Sequence, residues 1–114
     1  MLYEMNLNGK AFINIKNGIK KFELRLYDEN RKKISLNDII EFHNLDQMDE
    51  TIKVKVIGLL RYNTFRDLFN DIDYNLCGPA TSLEEKLKRV HTFYTEDQEN
   101  QNGILAIKIE LINN

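Results

Sequence analysis

Between residues 21 and 27 apolar and charged positions alternate. Phe22, Leu24 and Leu26 fall on one side, and Lys21, Glu23, Arg25 and Tyr27 on the other. A two-residue period is that of a strand with one core face and one ordered row of charge. The same period recurs at Ile52, Val54 and Val56, set against Lys53 and Lys55, and again at Leu105, Ile107, Ile109 and Leu111 near the end of the chain. Shorter apolar runs predict strands at Leu2–Leu7 and about Asp38–His43. Gly58 predicts a bulge in a run that continues through Leu59, Leu60 and Tyr62.

Helical spacing appears in three other places. Ala11, Phe12 and Ile15 precede Gly18, which stands where a left-handed residue would end a helix. Phe65, Leu68, Phe69 and Ile72 follow Thr64 as N-cap. Leu83, Leu87, Val90 and Tyr94 follow Ser82 and Glu85, which are spaced as a capping box. Asn44–Glu50 and Asp73–Thr81 read as loops. Thr95–Asn102 reads as polar surface with room for one more acidic turn, and its Glu96, Asp97 and Glu99 as solvated.

The predicted order is strand, helix, strand, strand, strand, helix, helix, strand. Strands that do not alternate regularly with helices argue against a doubly wound parallel sheet. The pattern predicts an α+β fold: a small, mostly antiparallel barrel or curved sheet with about three helices packed at its ends. The 114 residues suffice for a single domain with one modest core.

Composition narrows the function. Charged residues make up 30% and apolar residues 42%, as in a folded soluble chain. No apolar run approaches the roughly 20 residues of a membrane span, and the N-terminus lacks the pattern of a signal peptide, so a cytoplasmic location is expected. The lone Cys77 cannot form an internal disulfide and has no neighbour that would activate it. His43 and His91 are too far apart in sequence to suggest a metal site, and nothing calls for a cofactor. The net charge of −2 conceals an asymmetry. Residues 10–33 hold eight basic and three acidic side chains, a net +5, which leaves −7 for the rest. A basic surface on an acidic chain suits a small anionic ligand or a short single strand better than a long duplex.

The candidate chemistry lies in the same region: Lys20, Lys21, Glu23, Arg25 and Tyr27, with Arg31 in the basic turn that follows. Arginine and lysine suit phosphate, glutamate can accept from a base or a ribose hydroxyl, and tyrosine can stack on a base. The same residues would equally serve as a row of cross-strand salt bridges. A basic strand docking on an acidic protein partner is a third possibility.

Gly18-x-Lys20-x-x-Glu23-x-Arg25, followed by Asn37-Asp38-x-Ile40-x-Phe42, resembles the ASCH domain family. The likeness continues through Tyr62-Asn63-Thr64-Phe65-Arg66-Asp67-Leu68, and through Leu87-Lys88-Arg89 to Gly103–Ile107, as in small stand-alone prokaryotic members. Asn37 departs from the family's usual glycine, but asparagine tolerates a left-handed turn. The resemblance implies a PUA-like β-barrel with a cleft beside Gly18–Arg25 that binds RNA or a nucleotide-sized ligand. Lys20, Glu23 and Arg25 carry over by direct match. Lys21, Tyr27 and Arg31 are added from strand parity and charge.

A similar small class removes the acetyl group from N-acetylated cytidine with a lysine, a threonine three residues later and a downstream glutamate. Here Lys20 matches the lysine, Glu23 stands at the threonine position, and Glu84 or Glu85 would have to supply the carboxylate. Any amide hydrolysis would therefore need Glu23 as base, with Lys20 or Arg25 beside an oxyanion.

Overall fold

The computed structural model describes residues 1–112, the side chain of Met48 excepted. In chain order the elements are β1 (Leu2–Leu7), α1 (Gly9–Lys16), β2 (Phe22–Leu26), β3 (Ile39–Asn44), β4 (Gln47–Tyr62), α2 (Phe65–Asp71), α3 (Leu83–Val90), α4 (Glu96–Asn102) and β5 (Ile104–Leu111). Short 3-10 turns occupy Arg31–Lys33 and Tyr74–Cys77. No described helix is long and apolar enough to cross a membrane.

The five strands form one sheet in the order β1-β3-β4-β5-β2. Three pairings are antiparallel, and β1 runs parallel to β3. The sheet curls into a half-barrel whose two edges are β1 and β2. These edges share no ladder. They are linked by a side chain, with the Arg25 guanidinium on β2 donating to the Asn6 carbonyl on β1 at 3.1 Å. The closed barrel expected from the sequence is therefore open on one side. A backbone ladder needs two bare edges in contact, and here charged side chains of β2 occupy the gap.

Both faces of the sheet are covered. Met5, Leu7, Phe42, Val54, Val56, Leu105, Ile107 and Ile109 pack on one face with Phe12 and Ile15 of α1. Phe22, Leu26, Ile104 and Ala106 pack on the other with Phe65, Leu68 and Phe69 of α2 and Leu87 of α3. Burying each such side chain contributes about 1.5–3 kcal/mol. On β2 this division has a direct effect. Phe22 and Leu26 join the helix-covered cluster, whereas Glu23 and Arg25 lie opposite Ile107 and Leu105 and share the face of the first cluster. The row of charge thus lies at the margin of a core rather than on a solvated face.

Local signals explain most boundaries. The Asn8, Thr64 and Ser82 side chains cap α1, α2 and α3 by accepting from the third backbone N–H onward. Gly18 adopts φ +76° after α1, and Asn37 adopts φ +74° in the turn before β3, the left-handed conformation that asparagine tolerates. The ladder between β4 and β5 slips between Val56 and Gly58, a bulge.

Three further expectations need correction. There are four α-helices rather than about three, because Thr95–Asn102 forms α4 with a complete capping box between Thr95 and Gln98. The loop expected over Asn44–Glu50 is only a tight turn, and β4 already begins at Gln47. In α4, Glu99 is 5% exposed rather than solvated.

Candidate functional site

After Gly18 the backbone N–H groups of Ile19 and Lys20 both donate to the Asn14 carbonyl, which folds the chain back over the end of α1. This turn carries the Lys20 ammonium to Glu23, at 2.9 Å from Oε1. From the other side, Arg25 donates to Glu23 Oε2 through Nη2 at 2.8 Å and Nε at 3.1 Å. One buried carboxylate therefore holds two cations with two different oxygens. The cations keep a path to water: their side chains are 11% and 17% exposed, against 4% for Glu23. Burial pushes the Glu23 carboxyl toward neutrality, but Lys20 and Arg25 outweigh it and hold its pKa below the usual value. Burial likewise works against the charge on Arg25, and Glu23 more than offsets it.

These residues line a cleft of about 440 Å³ between β1, β2, α1 and α3. That volume falls within the roughly 300–1,000 Å³ of small-molecule sites. Five cations reach it: Lys10, Lys20, Arg25, Lys86 and Arg89. Among the described residues, Glu23 is the only carboxylate in its lining. Phe65, Phe93 and Tyr94 add aromatic surface, and Asn6, Asn8 and Asn14 add amides. Phe93 is 62% exposed, while Tyr94 stacks on Phe65 with ring centroids 6.0 Å apart. Burial raises the Tyr94 phenol's pKa, so it enters the cleft as a neutral hydroxyl.

The structure brings together Lys20, Glu23 and Arg25 but not the other three residues singled out from the sequence. Lys21 is exposed and borders a separate hollow with Phe22, Asp71 and Lys108. Tyr27 lines a different hollow of about 490 Å³, where Arg61 lies over its ring at 3.9 Å. Arg31 belongs to the 3-10 turn and is absent from the cleft lining. Glu84 and Glu85 also lie outside it: Glu84 faces Arg66, and Glu85 pairs with Arg89.

Lys86 is the main residue that pattern reading passed over. Leu83, Lys86, Leu87 and Val90 are spaced i, i+3, i+4, i+7, so a lysine occupies a core-facing position, which was the available signal. Cys77 packs beneath the same region as an inert thiol, its pKa pushed up to about 11 by burial.

With this geometry in view, the comparisons with known proteins are decisive. The ASCH domain family model matches residues 5–113. The chain belongs to the ASCH domain family. Among solved structures, this ASCH domain is similar to the hypothetical protein PH0355, at 38% identity and a TM-score of 0.88 over 98% of this chain and all of that one. It is also similar to protein PF0455 from Pyrococcus furiosus, at 34% identity and a TM-score of 0.80, with both chains fully covered. An ASCH protein from Zymomonas mobilis shares the fold at 12% identity and a TM-score of 0.66, over 98% of this chain and 73% of that one. No curated protein matches the chain. The PUA-like architecture of this ASCH domain is thus the half-barrel described above, with the Gly18–Arg25 motif at its open side.

Proposed function

We propose that this ASCH domain binds RNA or a nucleotide-sized ligand in the cleft between β1 and β2. One observation carries the reading: five cations line a nucleotide-sized cleft whose single described carboxylate is already fully engaged. A surplus of positive charge in a partly enclosed space favours an anion, and the accompanying aromatic rings suit a base.

On this reading the roles divide as follows. Glu23 has both oxygens occupied, so it positions Lys20 and Arg25 rather than reading a base edge. Lys20 and Arg25 contact phosphate. Stacking falls to Phe93 and Tyr94, which line the cleft, rather than to Tyr27, which does not. Amide hydrolysis finds less support, because a carboxylate with a lowered pKa is a poor proton acceptor and no other described carboxylate lines the cleft.

The test is binding of a short single-stranded RNA by fluorescence anisotropy at low salt. Arg25→Ala and Lys20→Ala should each weaken binding by about tenfold, the scale of one lost charge-assisted hydrogen bond. Wild-type affinity retained by both folded variants would place the ligand elsewhere.

A further inference from the structure

Among the described residues two cations of the cleft, Lys10 and Lys86, meet no carboxylate, and of these only Lys86 is buried. Lys86 is 4% exposed yet lines the cleft. Its ammonium donates to the backbone carbonyls of Cys77 at 3.0 Å and Gly78 at 2.6 Å, and it meets no carboxylate within salt-bridge distance among the described residues. An ammonium has three donors, so one remains beyond these two. The Cys77-Gly78 loop is shaped around it: Gly78 adopts φ +112°, and a Cβ there would lie 3.1 Å from the Lys86 Nζ. A buried charge without a counter-ion is strongly disfavoured unless something completes it.

The charge of the whole cleft indicates what that would be. The lining holds five cations against the Glu23 carboxylate, and Glu85 outside it pairs with Arg89, which leaves three positive charges uncompensated. A nucleoside brings no charge, and an internucleotide diester brings one. A phosphate monoester brings about −1.5 to −2 at neutral pH. We infer that the cleft takes its nucleotide by a terminal phosphate monoester, with Lys86 as the buried cation that completes the phosphate site. The ligand is then a nucleoside monophosphate or a phosphorylated RNA end, not an internal stretch of chain. This inference rests on the nucleotide-binding reading and specifies which part of the ligand the cleft selects.

It also couples binding to protons. The titratable groups around Lys86 are Lys20, Cys77, Arg89 and Glu85. Burial first, and Lys20 second, hold its pKa down to about 8. A bound dianion favours the protonated ammonium, so affinity should fall as pH rises through that value. The phosphate itself is already ionised there, since its second pKa is about 6.

The experiment is isothermal titration calorimetry of the full chain with the four nucleoside 5′-monophosphates, the four nucleosides, a dinucleoside monophosphate and inorganic phosphate. Wild type, Lys86→Met and Lys86→Arg are compared between pH 7 and 9. At least one monophosphate should bind tenfold or more tighter than its nucleoside, the dinucleoside monophosphate and inorganic phosphate. Lys86→Met should erase most of that preference, and Lys86→Arg should restore part of it. Wild type should lose several-fold in affinity for the monophosphate between pH 7.5 and 9, whereas Lys86→Met should stay flat. Should Lys86→Met fail to fold by circular dichroism, proton uptake by wild type, measured in buffers of different ionisation enthalpy, decides alone.

Equal binding of monophosphate and nucleoside overturns the terminal-phosphate inference and leaves the nucleotide-binding reading standing. Inorganic phosphate binding as tightly as the monophosphates overturns the nucleotide part. Monophosphate preference without proton uptake removes Lys86 from the site. No binding of any probe or of short RNA overturns both readings.

Discussion

Glu23 shows how much one side chain can organise. Its carboxylate accepts from Lys20, from Arg25 twice, and from the Leu24 backbone N–H at 3.3 Å. Replacing it with glutamine leaves two half-buried cations without a counter-charge. Breaking a buried pair by removing one partner costs about 3–5 kcal/mol, and the low end applies here because both cations reach water. Glu23→Gln should therefore lower the urea unfolding midpoint clearly while the fold is retained. The pH dependence has a definite sign. The folded pKa of Glu23 lies below the ordinary value of 4.5, so its contribution is fully present above that value and is lost as pH falls below it through the folded pKa. A thermal melt series from pH 6 to pH 3 should show wild type losing stability more steeply than Glu23→Gln. At Gly78, alanine meets both a backbone at φ +112° and the Lys86 ammonium. Gly78→Ala should cost about 1–3 kcal/mol of stability by chemical denaturation. The motif made Lys20, Glu23 and Arg25 legible in the sequence. Lys86 stayed hidden because a lysine on a charged helix reads as solvated, and its partners are backbone carbonyls of a loop that no side-chain pattern announces.

Among the elements, α2 and α4 are joined by a charge at a helix start. Glu99 of α4 accepts from the Phe65 backbone N–H, the first residue of α2, and from His91 Nε2 at 3.1 Å. The first N–H groups of a helix have no partner within it, and a carboxylate there also favours the helix dipole. Glu99→Ala would leave that N–H buried and unpaired, at a cost of about 1–3 kcal/mol. Hydrogen exchange should show α2 losing protection before the sheet does. The apolar stripes of α1, α2 and α3 were readable because each buries one face, and the N-caps of α2 and α3 because Thr64 and Ser82 precede their stripes; the Asn8 cap of α1 was not. Helix α4 was not, since its sequence is polar all round and its buried residue is a glutamate, which leaves no periodicity to detect. Strand β2 was readable as a strand, but not as one covered on both faces. Alternation reports which residues share a side, not what packs against either side.

For the whole molecule, the positions of the strands were legible but their order in the sheet was not. Sequence patterns carry no direct record of which edges remain unpaired, and the opening between β1 and β2 follows from that order. Electrostatics then act globally. Between pH 8 and 9 the unfolded chain still holds the Lys86 proton that the folded chain is releasing, so stability should rise with pH in that interval. Above 9 the unfolded Cys77 thiol ionises while the folded one remains protonated to about 11, which opposes the trend. Urea midpoints of wild type minus those of Lys86→Met isolate the lysine, and a flat difference from pH 7.5 to 9 would count against it. Few phosphates can be neutralised at once, so the RNA salt slope should be shallow. About two contacts give a slope near −1.4 on a single strand.

The Arg25–Asn6 link has a mechanical corollary. Strands joined by a ladder separate only when a whole row of amides lets go. Among the described residues these two edges are linked by one guanidinium, itself held by Glu23, and losing that contact leaves every backbone rung elsewhere in place. Widening the gap between these edges therefore costs one side-chain contact, and the frame around it need not loosen.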